Sequence, residues 1–250
     1  MKFGRFNFEE KFFYGAVENN KVYELEDNFL LGQKKTGKEF DLDLIKILPP
    51  VVPNKMLALA KNYGSHLQGE NPPKQPEPFF KTTSSLIGHN YNIEIPVDSK
   101  KVDAESELVA VIGQKAKNIP AENAFDVIFG YTCGNDVSAR DWQKGDKSWW
   151  RAKSSDTFSP IGPYIVNGID PENLEIKGIV NDEVVQKCNT SEMIWSIPKT
   201  IEFISKYVTF KILKISNVSL LWKIKGAKIT IEPFNKKNKL INLLFLIFVK

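Results

Sequence analysis

Short apolar runs broken by turn-forming residues set the rhythm of this chain, and long amphipathic stretches are few. Near the start, Phe12-Phe-Tyr-Gly-Ala-Val17 and Val22-Tyr-Glu-Leu25 flank Glu18-Asn-Asn-Lys21. Two β-prone runs joined by Asn-Asn read as a hairpin, because asparagine tolerates the positive φ of a two-residue turn. Pro49-Pro50 and Pro53 interrupt the pattern, so residues 1–50 are expected to form a small N-terminal β-domain. Over residues 51–210, Met56 to Ala60, Leu108 to Ile112, Val127 to Tyr131, Tyr164 to Val166 and Leu174 to Val180 are strand-like. Helical signals are confined to a short segment over Asp136 to Gln143 and to Ile197 to Ile204, where Pro198 suits a first turn. The expected fold class is mostly β, a β-rich α+β arrangement.

Residues 211–250 break the rhythm. Gly226 to Glu232 still reads as one strand, but Leu240 to Val249 shows neither alternation nor an amphipathic stripe. A tail this rich in Lys, Asn, Ile, Leu and Phe is what out-of-frame translation of an AT-rich gene yields. A frameshifted end and a divergent functional tail both stand as readings. The tail also explains the charge. The net charge of +4 arises because residues 205–250 hold ten lysines against one acid, Glu232, so the first 204 residues are net acidic. Such a balance is no argument for nucleic-acid binding, and no basic-aromatic interleaving supports one. Two cysteines without motif spacing, Cys133 and Cys188, fit structural thiols in a reducing compartment. No apolar leader core and no run of membrane-spanning length is present, so a cytoplasmic location without membrane association is expected. A chain of 250 residues, 42% of them hydrophobic, is long enough to bury a full core.

The chemistry concentrates in one acidic block. Glu105-Ser-Glu107 precedes Leu108-Val-Ala-Val-Ile112, and residues i and i+2 of a strand share a face. Asp136 follows the apolar-aromatic stretch Phe125 to Gly134, and a carboxylate emerging from a buried segment needs a partner. Three hard oxygen donors without nearby Cys or His favour Mg²⁺, or Mn²⁺ or Ca²⁺, over zinc. The plain alternative for Glu-x-Glu is the solvated face of a strand. Lys153, among Trp149, Trp150 and Ser154, is a candidate for holding a substrate carboxylate or stabilising an enolate, or else an ordinary surface lysine. For Arg140 two readings stand: a bidentate clamp on a carboxylate, or a scaffold partner of Asp141 or Asp156. His89 is read as structural.

Longer motifs then bring in a resemblance. Asn135-Asp136-Val-Ser-Ala-Arg140-Asp141, Lys153-Ser-Ser-Asp156-Thr-Phe-Ser-Pro-Ile-Gly162-Pro163 and Asn189-Thr-Ser-Glu-Met-Ile-Trp-Ser-Ile-Pro198 resemble the fumarylacetoacetate hydrolase family. Lys61-Asn-Tyr63-Gly-Ser-His66 and Pro78-Phe-Phe-Lys81 resemble its opening motifs, and the order is consistent from about residue 51 to 208. The resemblance implies a β-roll or barrel catalytic domain, a small N-terminal β-domain as in some members, and a homodimer. It implies that Glu105, Glu107 and Asp136 hold the metal, and that Tyr63, Phe79 and Lys81 lie near the pocket. Family members pair a lid histidine with a glutamate three residues on to activate water. Here His66 is followed at that spacing by Gly69, with Glu70 one residue later. The implied activity is hydrolysis of a C–C bond in a diketo acid of the fumarylacetoacetate or acylpyruvate type. An isomerase of the 2-hydroxyhepta-2,4-diene-1,7-dioate type and an oxaloacetate-type decarboxylase are alternatives on the same site. The Thr-Gly-Thr-Pro loop that members carry after the equivalent of Phe210 is missing here, so a non-catalytic metal-binding relic is the reading from another class.

Overall fold

The computed structural model of the protein describes residues 1–67, 69–210 and 248–249, and the expectations for 211–247 lie outside the described residues. Tight two-residue turns organise the N-terminal part. Strands Lys11–Glu18 and Lys21–Leu25 pair with Glu18 opposite Lys21, and Asn19 and Asn20 between them take φ of 48° and 62°. Both positive values are what this turn type demands, which is why asparagine occupies it. An equivalent turn at Glu9 and Glu10, φ 47° and 63°, joins Lys2–Phe8 to Lys11–Glu18. No asparagine or glycine announces that turn; the flanking aromatic strand pair imposes it.

These strands do not stand apart from the rest. An eight-stranded sheet runs in the order Ser106–Ile112, Ile128–Asn135, Ile165–Val166, Lys2–Phe8, Lys11–Glu18, Lys21–Leu25 and Lys35–Asp41, with Lys46–Leu48 also against Lys2–Phe8. Ile165–Val166 makes the join, pairing Phe3 with Ile165 and Tyr131 with Val166. Glycine is required at 130, where a Cβ would lie 2.6 Å from the Val166 carbonyl oxygen. The rings of Phe3, Phe29 and Phe129 pack 5.3–5.5 Å apart across the join. Smaller sheets surround this one, and among the described residues none closes into a barrel. The mostly-β expectation therefore holds with open sheets.

The strand Ser106–Ile112 separates two cores. Val109 and Val111 face a cluster containing Phe3, Phe29 and Ile165, whereas Leu108 and Ala110 face the helix Ile197–Tyr207. That helix starts where Ser196 accepts a bond from Lys199 N and Pro198 sits in the first turn. Ile197, Ile201 and Ile204 form its buried stripe at helical spacing. The expected short helix near Asp136 begins later, at Arg140–Gly145, because Ser138–Ala139 pairs with Val102–Asp103 first. A second short helix, Trp150–Ser154, carries no sequence signal long enough to read. No helix among the described residues is long and apolar enough to cross a membrane.

Ile201 is fully buried at the centre of the helix stripe, so Ile201→Ala is expected to cost about 2–5 kcal/mol in urea denaturation. Leu44, 70% exposed, is the control: Leu44→Ala should stay within about 0.5 kcal/mol of wild type.

Candidate active site and metal centre

Backbone pairing places the acidic groups. Glu105 and Glu107 flank Ser106 and so project to one face, as strand periodicity requires. The Glu105 amide donates to Asn135 Oδ1 at 2.9 Å, and the Asp136 amide donates to the Glu105 carbonyl at 2.9 Å. Asp136, leaving the end of Ile128–Asn135, is thereby locked beside Glu105. One carboxylate oxygen from each of Glu105, Glu107 and Asp136 lies within 4.8 Å of the other two, and the three residues are 3%, 2% and 0% exposed.

Basic groups from distant segments compensate. Lys153 Nζ donates to Glu105 Oε2 at 2.7 Å, Asp136 Oδ2 at 2.5 Å and Ser138 Oγ at 2.6 Å. Its ammonium lies 5.3 Å from the centre of the Phe79 ring. Lys81 Nζ donates to Asp136 Oδ1 at 2.6 Å and to the Phe158 carbonyl at 3.1 Å. Both lysines are buried, so the surface reading of Lys153 is set aside. Arg140 donates to Glu105 Oε1, to Asp103 Oδ2 at 2.8 Å and to Gln143 Oε1 at 2.8 Å. Its scaffold partners are thus Asp103 and Glu105 and not Asp141, whose carboxylate is taken by Ser99 Oγ and Lys100 N at 2.9 Å each. The Ser138 hydroxyl lies 2.8 Å from Glu105 Oε2 and 2.7 Å from the Asp136 carbonyl, and donates its single proton to one of them.

Glu107 is treated differently. Its Oε1 is buried with no hydrogen-bond partner among the described residues. Burial and then the charge of Asp136 push its carboxyl well above the ordinary value, against the pull of Lys153 and Lys81. For Asp136 burial also acts upward, but the two ammoniums outweigh it and hold the carboxyl below its usual range. Burial brings Lys81 down to about 8 and lowers Lys153 as well. An unpartnered buried carboxylate oxygen costs about 1–3 kcal/mol or more, and a cation between the three carboxylates would remove that cost. The all-oxygen donor set suits Mg²⁺, Mn²⁺ or Ca²⁺. The residues present therefore fit a divalent metal.

The opening motif lies at the side of this cluster. Tyr63 is buried, bridges to Met193, and its hydroxyl has no partner among the described residues. Burial, then Cys188 and Glu107, raise its phenol well above the ordinary value. Asn62 binds the Asn189–Pro198 motif on both sides of its amide: Nδ2 donates to the Trp195 carbonyl at 2.9 Å and Oδ1 accepts from Trp195 N at 2.7 Å. Trp195 Nε1 in turn donates to the Pro73 carbonyl at 3.3 Å. His66 ends the single turn Gly64–His66, and the expected His66–Glu70 contact lies outside the described residues. The Glu70 carboxylate itself is exposed and ion-paired with Lys61. Ser138, Asn135, Asp103 and Gln143 are site residues that the sequence reading did not single out. Local signals existed for two of them: Ser138 lies two residues beyond Asp136 in the same motif, and Gln143 stands at i+3 from Arg140 on one helix.

Two family models match the chain: fumarylacetoacetate (FAA) hydrolase C-terminal over residues 55–215, and Rv2993c-like, N-terminal over residues 1–50. The mitochondrial oxaloacetate tautomerase fahd2 of Xenopus laevis is 43% identical over 173 residues, 66% of this chain and 54% of the frog protein. Among solved structures, the 5-carboxymethyl-2-hydroxymuconate delta-isomerase of Mycobacterium smegmatis superposes with a TM-score of 0.80 at 35% identity, covering 84% of each chain. The maleylpyruvate hydrolase of Sphingobium sp. SYK-6, in complex with manganese(II) and pyruvate, superposes at 0.69 with 27% identity, covering 84% of this chain and 85% of that one.

The unpartnered oxygen makes Glu107 a discriminating position. Glu107→Gln should weaken divalent-cation binding by at least about tenfold in calorimetric titration, because an amide cannot offer the cation an anionic oxygen. Unchanged affinity would remove Glu107 from the ligand set.

Proposed function

The chain belongs to the fumarylacetoacetate hydrolase family, and on that premise we propose that it is a divalent-metal-dependent enzyme acting on a keto or diketo acid. The first reading is hydrolysis of a C–C bond in a diketo acid of the fumarylacetoacetate or acylpyruvate type. One observation carries the metal dependence common to every reading: three buried carboxylates converge within 4.8 Å, and one oxygen of Glu107 has no partner among the described residues. Glu105, Glu107 and Asp136 would hold a divalent cation, Mg²⁺ first with Mn²⁺ or Ca²⁺ as alternatives, which would supply Lewis-acid polarisation of the substrate's carboxylate and adjacent carbonyl oxygens.

The remaining work falls to the chain's own groups. Lys153, already buried against two of the carboxylates, offsets negative charge as it develops on the substrate oxygens. Lys81 and Arg140 hold Asp136 and Glu105 in place, and the buried Tyr63 hydroxyl is assigned to the substrate. His66, with Glu70, takes the proton from water. The oxygen of that water bonds to the distal carbonyl carbon and the C–C bond breaks. Its electron pair leaves on the carbon next to the retained keto acid, and that carbon accepts the proton. We assign the working unit as a cytoplasmic homodimer with a small keto acid as its partner.

A second reading is isomerisation, tautomerisation or decarboxylation on the same site. What favours it is Glu70, whose carboxylate is engaged by Lys61, away from the role of aligning a water-activating histidine. Moving a double bond or a proton needs the same charge stabilisation but no water. The tautomerase and isomerase among the relatives support this reading.

Turnover of acylpyruvates, oxaloacetate and a 2-hydroxydiene dioate in the presence of Mg²⁺ or Mn²⁺ distinguishes these readings. His66→Ala should lower hydrolysis by about 10²–10⁴-fold while leaving metal affinity intact. Undiminished turnover in that variant would select isomerisation or decarboxylation. A chain that binds cation yet turns over none of the panel is the relic.

A further inference from the structure

The strand Ser106–Ile112 ends the eight-stranded sheet, so one of its edges is not covered by the neighbour Ile128–Asn135. In an antiparallel pair the backbone groups of successive residues alternate between facing the partner and facing away. Glu105 faces inward, through the Asp136 amide and the Asn135 side chain. Ser106 therefore faces outward, where its N–H and C=O need partners of their own. A single side chain meets both. Ser106 N donates to Gln186 Oε1 at 2.7 Å, and Gln186 Nε2 donates to the Ser106 carbonyl at 2.8 Å. A primary amide presents a donor and an acceptor at peptide spacing, so Gln186 does at one residue what an adjoining strand does along its length.

The two bonds fall at a sensitive place. Ser106 N belongs to the peptide unit shared with Glu105, and Ser106 O to the unit shared with Glu107. Both peptide units between the two glutamates are thus clamped by one amide. Gln186 lies on Glu183–Asn189, opposite Gly178 of Glu175–Val180. A Cβ at Gly178 would stand 2.7 Å from Ser106 Oγ and 3.1 Å from Gln186 Cβ, so this hairpin closes directly on Ser106.

We propose that Gln186 is a positioning residue for the metal centre: its amide fixes the rotation of the two peptide units that carry Glu105 and Glu107, and so the convergence of their carboxylates. This rests on the metal reading given above. The cause is geometric. Rotating either unit by 10–20° moves a glutamate carboxylate by an amount comparable with the tolerance of a working site, about 0.5 Å. Partners that orient ligands in this way are worth about 10–100-fold in metal affinity.

The test titrates Mn²⁺ into the metal-free full chain by calorimetry, alongside thermal melts without metal. Gln186→Ala should weaken Mn²⁺ binding by about 10–100-fold. Gln186→Glu keeps the acceptor for Ser106 N but sets an oxygen against Ser106 O, and should also weaken binding; it serves if the alanine variant fails to fold. Lys187→Ala, an exposed neighbour on the same hairpin, should leave the affinity within about twofold. A lower melting temperature with unchanged Mn²⁺ affinity in both Gln186 variants would make the residue purely structural and overturn the assignment. Wild-type protein that binds no Mn²⁺ would instead overturn the metal reading, and this inference with it.

Discussion

Three carboxylates with oxygens within 4.8 Å of one another and shielded from water cannot all stay ionised without compensating charge. Much of the architecture answers that constraint. Lys153 reaches Glu105 and Asp136, Lys81 takes the other oxygen of Asp136, and Arg140 takes the other oxygen of Glu105. Lysine suits the two inner positions because its ammonium is a compact point charge that can sit among several oxygens. Arginine suits the rim, where its planar fork spans Asp103, Glu105 and Gln143 at once. Among the described residues, compensation stops one oxygen short, at Glu107. That residual deficit makes the cluster a candidate cation site and not merely a buried ion-pair network, which often gives little net stability.

The compensating groups come from parts of the chain far apart in sequence, so the frame that joins them has to be rigid. The strand Ser106–Ile112 provides it by separating the aromatic core of Phe3, Phe29 and Phe129 from the helix stripe of Ile197, Ile201 and Ile204. A strand buried on both faces cannot tilt without opening one core, which fixes the direction of the two glutamates. The first fifty residues contribute through Ile165–Val166, whose pairing extends the same sheet into the N-terminal strands.

How much of this was legible beforehand depends on whether the signal was local. Glu105 and Glu107 declared themselves because period-2 spacing is a property of adjacent residues, and the Asn19-Asn20 turn because asparagine favours positive φ. The turn at Glu9-Glu10 did not, since glutamate carries no such preference and the aromatic strands force it. Burial of Lys81 and Lys153 was hidden because lysine in isolation reads as surface. The partners of Arg140 were misread for a related reason: Asp141 adjoins it in sequence, yet on a helix adjacent residues diverge, and Asp103 comes near only through the pairing of Ser138 with Asp103. Gln186 was the least visible, because its bonds to Ser106 cross 80 residues and involve only backbone atoms on one side.

The carboxylate cluster alone does not decide the reaction. Under the proposed function, a cation held by Glu105, Glu107 and Asp136 would serve hydrolysis, isomerisation and decarboxylation alike, so the choice would fall to whatever governs water. The segment from Asn62 to Pro73 carries His66 and Glu70, the pair proposed to handle water. Trp195 fastens both of its ends, through Asn62 at one and the Pro73 carbonyl at the other. Backbone bonds from Leu67 N to Gly64 O and from Glu70 N to Leu67 O then shape its middle, and Gly69 takes a φ of 90° that other residues resist. Within that frame Glu70 turns to Lys61, which precedes the segment and takes a positive φ of 54°. Exchange of this exposed pair for a contact within the site costs little, because surface ion pairs contribute about 0–1 kcal/mol. Under the proposed function, a weak contact on a strongly anchored segment would choose the reaction, while the strong contacts of the cluster would set only what all the reactions share.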